Sequence, residues 1–459
     1  MATAVPSQRP EGDISDAFAS LSGMDFKPLE PRFAEIKRQL ISGKGEALYS
    51  SWVRLLASLR EEIPLIARLG SKVIPVIDFK DIDNASPKFR AEHKKRGVAV
   101  IRNVISRHEA LDMKQELRGY IAANPHTKAF PKDSPQVFEL YWSPAQIKAR
   151  SHPNLIKAQR FLMEFWHSKD PNALISSSHP LIYADRLRMR LPGDSKFALG
   201  PHVDSGSCER WEADGYGRGH VFDSIWEGCW RVLSFPHVPR VAQYVRDGAI
   251  RGHATCQPSV ESSHGILPTA AILHAEDCGS GPTAETYDEA FLTPENWQLE
   301  PEPTSWLHGA SPGHCQELRA ALHPHLNLPS SMVHVPKVQP GDYVSWHCDT
   351  IHGVDSVHTG STDSSVLYIP SCPLTVANAQ FVARQREAFL NGWPSPDFGG
   401  GVGESQHVGR PGVEDVERVN SGDGLQAFGL KAFDGEAEGL TSGQREVIDR
   451  ANKILGFYH

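Results

Sequence analysis

The stretch Asp342-Tyr343-Val344-Ser345-Trp346-His347-Cys348-Asp349-Thr350-Ile351-His352-Gly353-Val354-Asp355 decides how this chain is read. Pro340-Gly341-Asp342 opens it with a turn signal. Tyr-Val-Ser-Trp then reads as a strand from its aromatic and β-branched content. Three possible metal ligands follow: His347, Asp349 and His352. In a chain with 22 histidines such a cluster alone is more often the polar end of a strand. It gains weight from Leu199-Gly200-Pro201-His202-Val203-Asp204-Ser205-Gly206-Ser207, 150 residues before the last histidine (352 − 202). His202 and Asp204 have period-two spacing, so on a strand the imidazole and the carboxylate emerge on one face. Two histidines and one carboxylate on one face of a metal leave the opposite positions open, as in the non-haem Fe(II) oxygenases. Three ligands with an open position equally suit catalytic zinc, and with it an isomerase or hydrolase. A third reading is a degenerate, non-catalytic binding protein that keeps only the fold.

The chain has 459 residues, too many for one small core. Apolar residues make up 40% and charged residues 22%, as in ordinary soluble globular proteins. A net charge of −8 recommends neither nucleic acid nor an anionic membrane as a partner. The 38 glycines and 34 prolines point to many turns and long loops. Seven scattered cysteines, none in a C-x-x-C pair, fit reduced thiols and give no structural zinc signature. With no secretory leader visible and no apolar run near the ~20 residues of a membrane span, the expected location is cytoplasmic.

Outward from the ligand stretches, apolar spacing predicts helices at 32–40 and 47–59 and an edge strand at 72–79. Gly97–Arg102 reads as a buried strand, and Ser106 with Glu109 as a capping signature for a helix to about 122. A further helix is expected at 154–166. Leu181–Leu191 reads as one strand, with arginines at 186, 188 and 190 alternating against Leu187, Met189 and Leu191. Three basic residues on one strand face usually meet solvent, though in a barrel they can point into the mouth. A short helix is expected around 312–328, strands at 332–335 and 364–369, and helices at 377–390 and 442–455. Glu209 and Arg210 read as an ion pair or a pocket pair. Trp211, Tyr343 and Trp346 read as core. The expected fold class is mainly β with helical additions (α+β), built on a double-stranded β-helix (jelly-roll) core. Three parts are expected: an N-terminal arm and helical cap at 1–95, the core with long insertions at 96–375, and a helical and glycine-rich extension at 376–459.

Joint motifs carry a resemblance. Y-A-D-R-L-R-M-R-L-P-G-D at 183–194, L-G-P-H-V-D-S-G-S-C-E-R-W at 199–211 and P-G-D-Y-V-S-W-H-C-D-T-I-H at 340–352 resemble the YbiU-like family. That is a domain-of-unknown-function family placed within the Fe(II)/2-oxoglutarate-dependent oxygenases. The likeness extends through D-S-S-V-L-Y-I-P at 363–370, R-Q-R-E-A-F-L at 384–390 and P-D-F-G-G at 396–400. It implies an enzyme, a non-haem iron dioxygenase with Fe(II) and 2-oxoglutarate as cofactors. Succinate and CO2 would be co-products as a C–H bond of a small polar molecule, an amino acid or a secondary metabolite, is oxidised by molecular oxygen. Carried over, His202, Asp204 and His352 become the metal ligands. His352 is preferred to His347 because the distal histidine in such enzymes commonly lies about ten residues after the Gly-Asp aspartate, here Asp342. The chain departs from the pattern twice. The last core strand, Ser364-Ser365-Val366, lacks the arginine that commonly anchors 2-oxoglutarate, which leaves Arg188, Arg190, Arg210 and Arg231 as candidates. An aromatic strand bearing an arginine is expected between the two ligand stretches, and 252–290 does not resemble one.

Overall fold

The computed structural model describes residues 28–166, 168–195, 198–204, 207–212, 223–228, 243–247, 254–256, 273–275, 289–300, 302–398 and 400–458. Along the chain the strands are β1 (Val76–Asp78), β2 (Val98–Arg102), β3 (Ala129–Phe130), β4 (Val137–Phe138), β5 (Ile175–Leu181) and β6 (Leu187–Arg190). Next come β7 (His202–Val203), β8 (Gln243–Asp247), β9 (Ala254–Cys256), β10 (Leu273–Ala275), β11 (Trp297–Leu299) and β12 (Gln316–Glu317). The last are β13 (Val333–His334), β14 (Asp342–Trp346), β15 (His352–Val354), β16 (Ser364–Tyr368) and β17 (Cys372–Thr375). They build an eight-stranded sheet in the order β1-β2-β14-β8-β16-β6-β4-β3 and a five-stranded sheet in the order β12-β7-β15-β9-β13. Two ribbons, β10-β11 and β17-β5, complete a mixed α/β architecture.

Period-two alternation sorts the large sheet into two faces. Ile101, Leu187, Met189, Tyr343 and Leu367 pack against helices 107–123 and 153–163, in one cluster with Met113, Leu117, Leu155 and Phe161. Their neighbours Val98, Val100, Val344 and Trp346 face the other way, toward Val333, Val335 and Ile66. The outer face of the small sheet is closed by the helix Gly45–Leu69, whose Trp52, Leu55, Leu56 and Leu59 meet Val203, Leu318 and Ile351. Each buried leucine there contributes roughly 1.5–3 kcal/mol. Among the described residues no helix is long and apolar enough to cross a membrane.

The turn before β14 holds the centre of the fold. Gly341 has φ +88°, and a Cβ there would lie 2.0 Å from the Ile105 carbonyl oxygen. The Asp342 carboxylate accepts the backbone N–H groups of Asn103 (3.0 Å) and Gln339 (2.8 Å) and pairs with Arg102. The glycine-rich loop at 400–412 is fixed by Glu404, fully buried, which accepts the N–H groups of Tyr141 (2.6 Å) and Trp142 (2.8 Å) and the Tyr120 hydroxyl (3.2 Å).

Two expectations are corrected. Leu181–Leu191 is not one strand: between β5 and β6 the Ile182 N–H bonds to the Ala427 carbonyl and the Ala184 N–H to the Gln385 side chain, so this backbone serves the C-terminal extension. No helix spans 312–328. Gln316 and Glu317 are taken into the small sheet, and a 3-10 turn at Pro324–Leu326 ends at Asn327, whose φ is +43°. The segment 252–290, expected to hold no aromatic strand bearing an arginine, supplies two three-residue strands of neither kind, β9, paired to β15 and β13, and β10, paired to β11.

That 3-10 turn buries His325 between the rings of Trp52 (5.2 Å) and Trp297 (5.4 Å), with no hydrogen-bond partner at either ring nitrogen among the described residues. Burial holds its pKa well below the ordinary histidine value, and His323 beside it is pushed down to about 3. The unfolded chain takes these protons below pH ~6.5 and the folded one does not, so stability falls as pH drops through that value, by about 1.4 kcal/mol per pH unit per group. Urea midpoints at pH 7 and pH 5 are expected to separate in the wild type and to separate less in His325→Phe. Equal separation in both would show that His325 is not a source of the acid sensitivity.

Candidate metal centre

Each side chain of the centre is placed by a strand end. His202 opens β7 and His352 opens β15, and in the antiparallel pairing of these strands the two residues stand directly opposite each other. Asp204 follows β7, where its N–H donates to the Cys348 carbonyl at 2.9 Å. The result is a compact group of three donors, all within 4.8 Å of one another. His202 Nε2 lies 3.8 Å from Asp204 Oδ1, and His352 Nε2 lies 3.5 Å from Asp204 Oδ2. A metal with donors about 2.1 Å away spaces adjacent donors roughly 3–3.4 Å apart, so a small inward movement suffices for this set to hold one.

The tautomers suit that task. His202 Nδ1 lies 2.7 Å from the Gly200 carbonyl and His352 Nδ1 lies 2.9 Å from the Thr350 carbonyl. A carbonyl only accepts, so each Nδ1 carries the proton and each Nε2 presents its lone pair toward Asp204. Burial, with His352 alongside, pushes the His202 pKa down to about 4, which keeps the ring neutral. The imidazoles are buried, while the Asp204 side chain keeps 27% of its surface exposed and marks the open side. Trp346, at the end of β14, donates its indole N–H to Asp204 Oδ2 at 3.1 Å and rests against the His352 ring at 5.1 Å.

A second cluster, His347-Cys348-Asp349, is also buried and compact. There His347 Nδ1 accepts the Asp349 backbone N–H at 3.2 Å and the ring packs on Trp166 at 5.4 Å. Its turn thereby supports the segment that leads to His352, and the structure groups His352, not His347, with His202 and Asp204.

The candidate anion-binding arginines divide. Arg188 is buried, its charge acts on His202, and it hydrogen-bonds to Tyr368. Arg190 is buried too, but its guanidinium is engaged by Asp194, at 2.7 Å to the carboxylate and 3.0 Å to the carbonyl, and by the Ser356 carbonyl at 3.2 Å. The Arg210 side chain and Arg231 lie outside the described residues. The expected pairing of Glu209 with Arg210 therefore lies outside the described residues, and Glu209 itself accepts the N–H groups of Ser207 and Gly313. Two features escaped the sequence reading. A strand with a tyrosine and an arginine, β8 (Gln-Tyr-Val-Arg-Asp), lies between the two candidate ligand stretches, upstream of 252–290. Its Arg246 is in register with Val366, whose other register partner is Arg188, so arginine positions flank the base-free strand on both sides. Trp346, read as core from its strand, also donates its N–H to the Asp204 carboxylate.

Comparisons with known proteins agree with this architecture. The chain is 30% identical over 365 residues to the uncharacterized protein YbiU of Escherichia coli (strain K12), covering 75% of this chain and 83% of that protein. The crystal structure of GlcNAc Inducible Gene 2, GIG2, from Candida albicans superposes with a TM-score of 0.79 at 27% identity, covering 94% of this chain and 96% of that one. A hypothetical protein from Escherichia coli, JW0805, shares the fold with a TM-score of 0.69 at 24% identity, covering 88% and 99%. The Gig2-like family model matches residues 27–256 and 282–430, and the chain belongs to the Gig2-like family.

Proposed function

We propose that this protein is an Fe(II)- and 2-oxoglutarate-dependent oxygenase acting on a C–H bond of a small polar molecule. The observation that carries the reading is the His202/Asp204/His352 group, two imidazoles with their Nε2 lone pairs set toward one carboxylate. The order of strands supports it. β6, β8, β14 and β16 lie in the large sheet while β7, β9, β13 and β15 lie in the small one, so the chain passes back and forth between two sheets as a double-stranded β-helix does.

When bound, the iron supplies the redox chemistry that couples oxidative decarboxylation of 2-oxoglutarate to oxidation of the substrate. The protein's own residues supply the rest. His202 and His352 hold the metal through neutral nitrogens, and Asp204 brings the single negative charge. Arg188, in the same face of β6 as Arg190 and electrostatically coupled to His202, is the proposed partner of the distal 2-oxoglutarate carboxylate. Tyr368 fixes that guanidinium from the neighbouring strand. Val344 and Val100 pack in one apolar cluster with Trp346, behind the side of the centre that the indole covers.

Purified protein supplied with Fe(II), ascorbate, oxygen and 2-oxoglutarate is expected to form succinate, and His202→Ala is expected to form none and to lose tight iron binding. Succinate at wild-type rates from His202→Ala would sink the assignment. His347→Ala serves as the internal control, expected to keep iron where His352→Ala loses it, both read by metal titration. Arg188→Ala is expected to raise the 2-oxoglutarate concentration needed for half-maximal succinate formation by about 10- to 100-fold, the value of a charge-assisted hydrogen-bonded pair. An unchanged requirement would move the anchoring role elsewhere.

A further inference from the structure

We propose that Trp346 is a positioning residue of the metal centre: its indole N–H holds Asp204 so that the carboxylate meets the ion through one oxygen. The inference rests on the metal-centre reading above and deepens it. A carboxylate is free to ligate through one oxygen or two, and the second mode occupies a position that a co-substrate needs. Nothing in the Asp204 backbone chooses between them. Each oxygen faces one imidazole, Oδ1 at 3.8 Å from His202 Nε2 and Oδ2 at 3.5 Å from His352 Nε2, and the Trp346 N–H at 3.1 Å engages Oδ2 and so weakens it as a second ligand. Indole suits this role because it donates and never accepts, carries no charge and cannot itself compete for the metal.

Trp346 is well placed to be a fixed donor. It is 5% exposed, sits in register with Val98 at the end of β14, and lies in one apolar cluster with Val98, Val100 and Val344. Its ring also rests on the His352 ring, at 5.1 Å and an interplanar angle of 46°. Two residues on, the Cys348 carbonyl receives the Asp204 N–H at 2.9 Å. The segment 346–352 therefore grips Asp204 at both ends, its backbone through Cys348 and its carboxylate through Trp346, before supplying His352 itself. Partners that hydrogen-bond to a metal ligand typically change metal affinity 10- to 100-fold when removed.

The test is anaerobic titration of the metal-free protein with Co(II) and with Fe(II), for the wild type, Trp346→Phe and Trp346→Gln, alongside thermal unfolding of each metal-free form. Phenylalanine keeps most of the ring and removes the donor, whereas glutamine sacrifices the ring and restores an N–H. The expected result is a 10- to 100-fold loss of affinity in Trp346→Phe at little cost in unfolding temperature, and substantial recovery in Trp346→Gln despite its poorer packing. Wild-type affinity in Trp346→Phe, or equal losses in both variants, would overturn the inference and leave the metal centre standing. A wild-type protein that takes up neither ion would instead defeat the metal-centre reading itself.

Discussion

The pairing of His352 with His202 across β15 and β7 is the constraint on which the centre depends. Side chains on a strand alternate with period two, so a slip of one residue would send either imidazole to the opposite face. The register is held from the outside. Val203, Leu318 and Ile351 alternate with the polar residues and are buried under the helix Gly45–Leu69. A slipped strand would present a histidine or a carboxylate to Trp52 and the leucines of that helix, where nothing compensates the loss of water.

A second constraint acts at the start of β14. Asp342 accepts two backbone N–H groups and pairs with Arg102, so the chain leaves the Pro-Gly turn in one direction only. β14 lies between β2 and β8 in the middle of the large sheet, and it ends at Trp346. The geometry of a buried carboxylate at one end of the strand is thereby transmitted to the indole at the other. The arginines on the inward face of β6 follow the same economy of neighbours: Arg190 closes the turn with Asp194, and Arg188 reaches Tyr368 one strand away.

The grouping of His202, Asp204 and His352 is legible in the sequence because two short-range rules suffice for it. One is the period of a strand, and the other, which the family resemblance supplies, is the spacing of about ten residues from the Gly-Asp aspartate to the distal histidine, which passes over His347. Most helices are legible for similar reasons, since apolar spacing and caps such as Ser106 are local signals. What depends on tertiary pairing is not. β9 is three residues long and exists through its neighbours β13 and β15, so residues 254–256 have no strand pattern to display. Gln316 and Glu317 look helical in context but are captured by β7. Trp346 shows the limit for the site: a tryptophan in a strand reads as core, and only coordinates reveal that its N–H meets a carboxylate 142 positions away.

The long interval between His202 and His352 also has a meaning in time. A ribosome adds about 5–20 residues each second, so the two histidines are made roughly 8–30 seconds apart. Through most of that interval β7 has neither of its sheet neighbours, since β12 follows only at 316–317 and β15 only at 352–354. A nascent chain can offer His202 and Asp204 to a passing cation, but not a three-sided grip. Under the proposed reading, tight metal capture would wait for the finished β14–β15 segment, and loading of the centre would report that β15 has paired with β7.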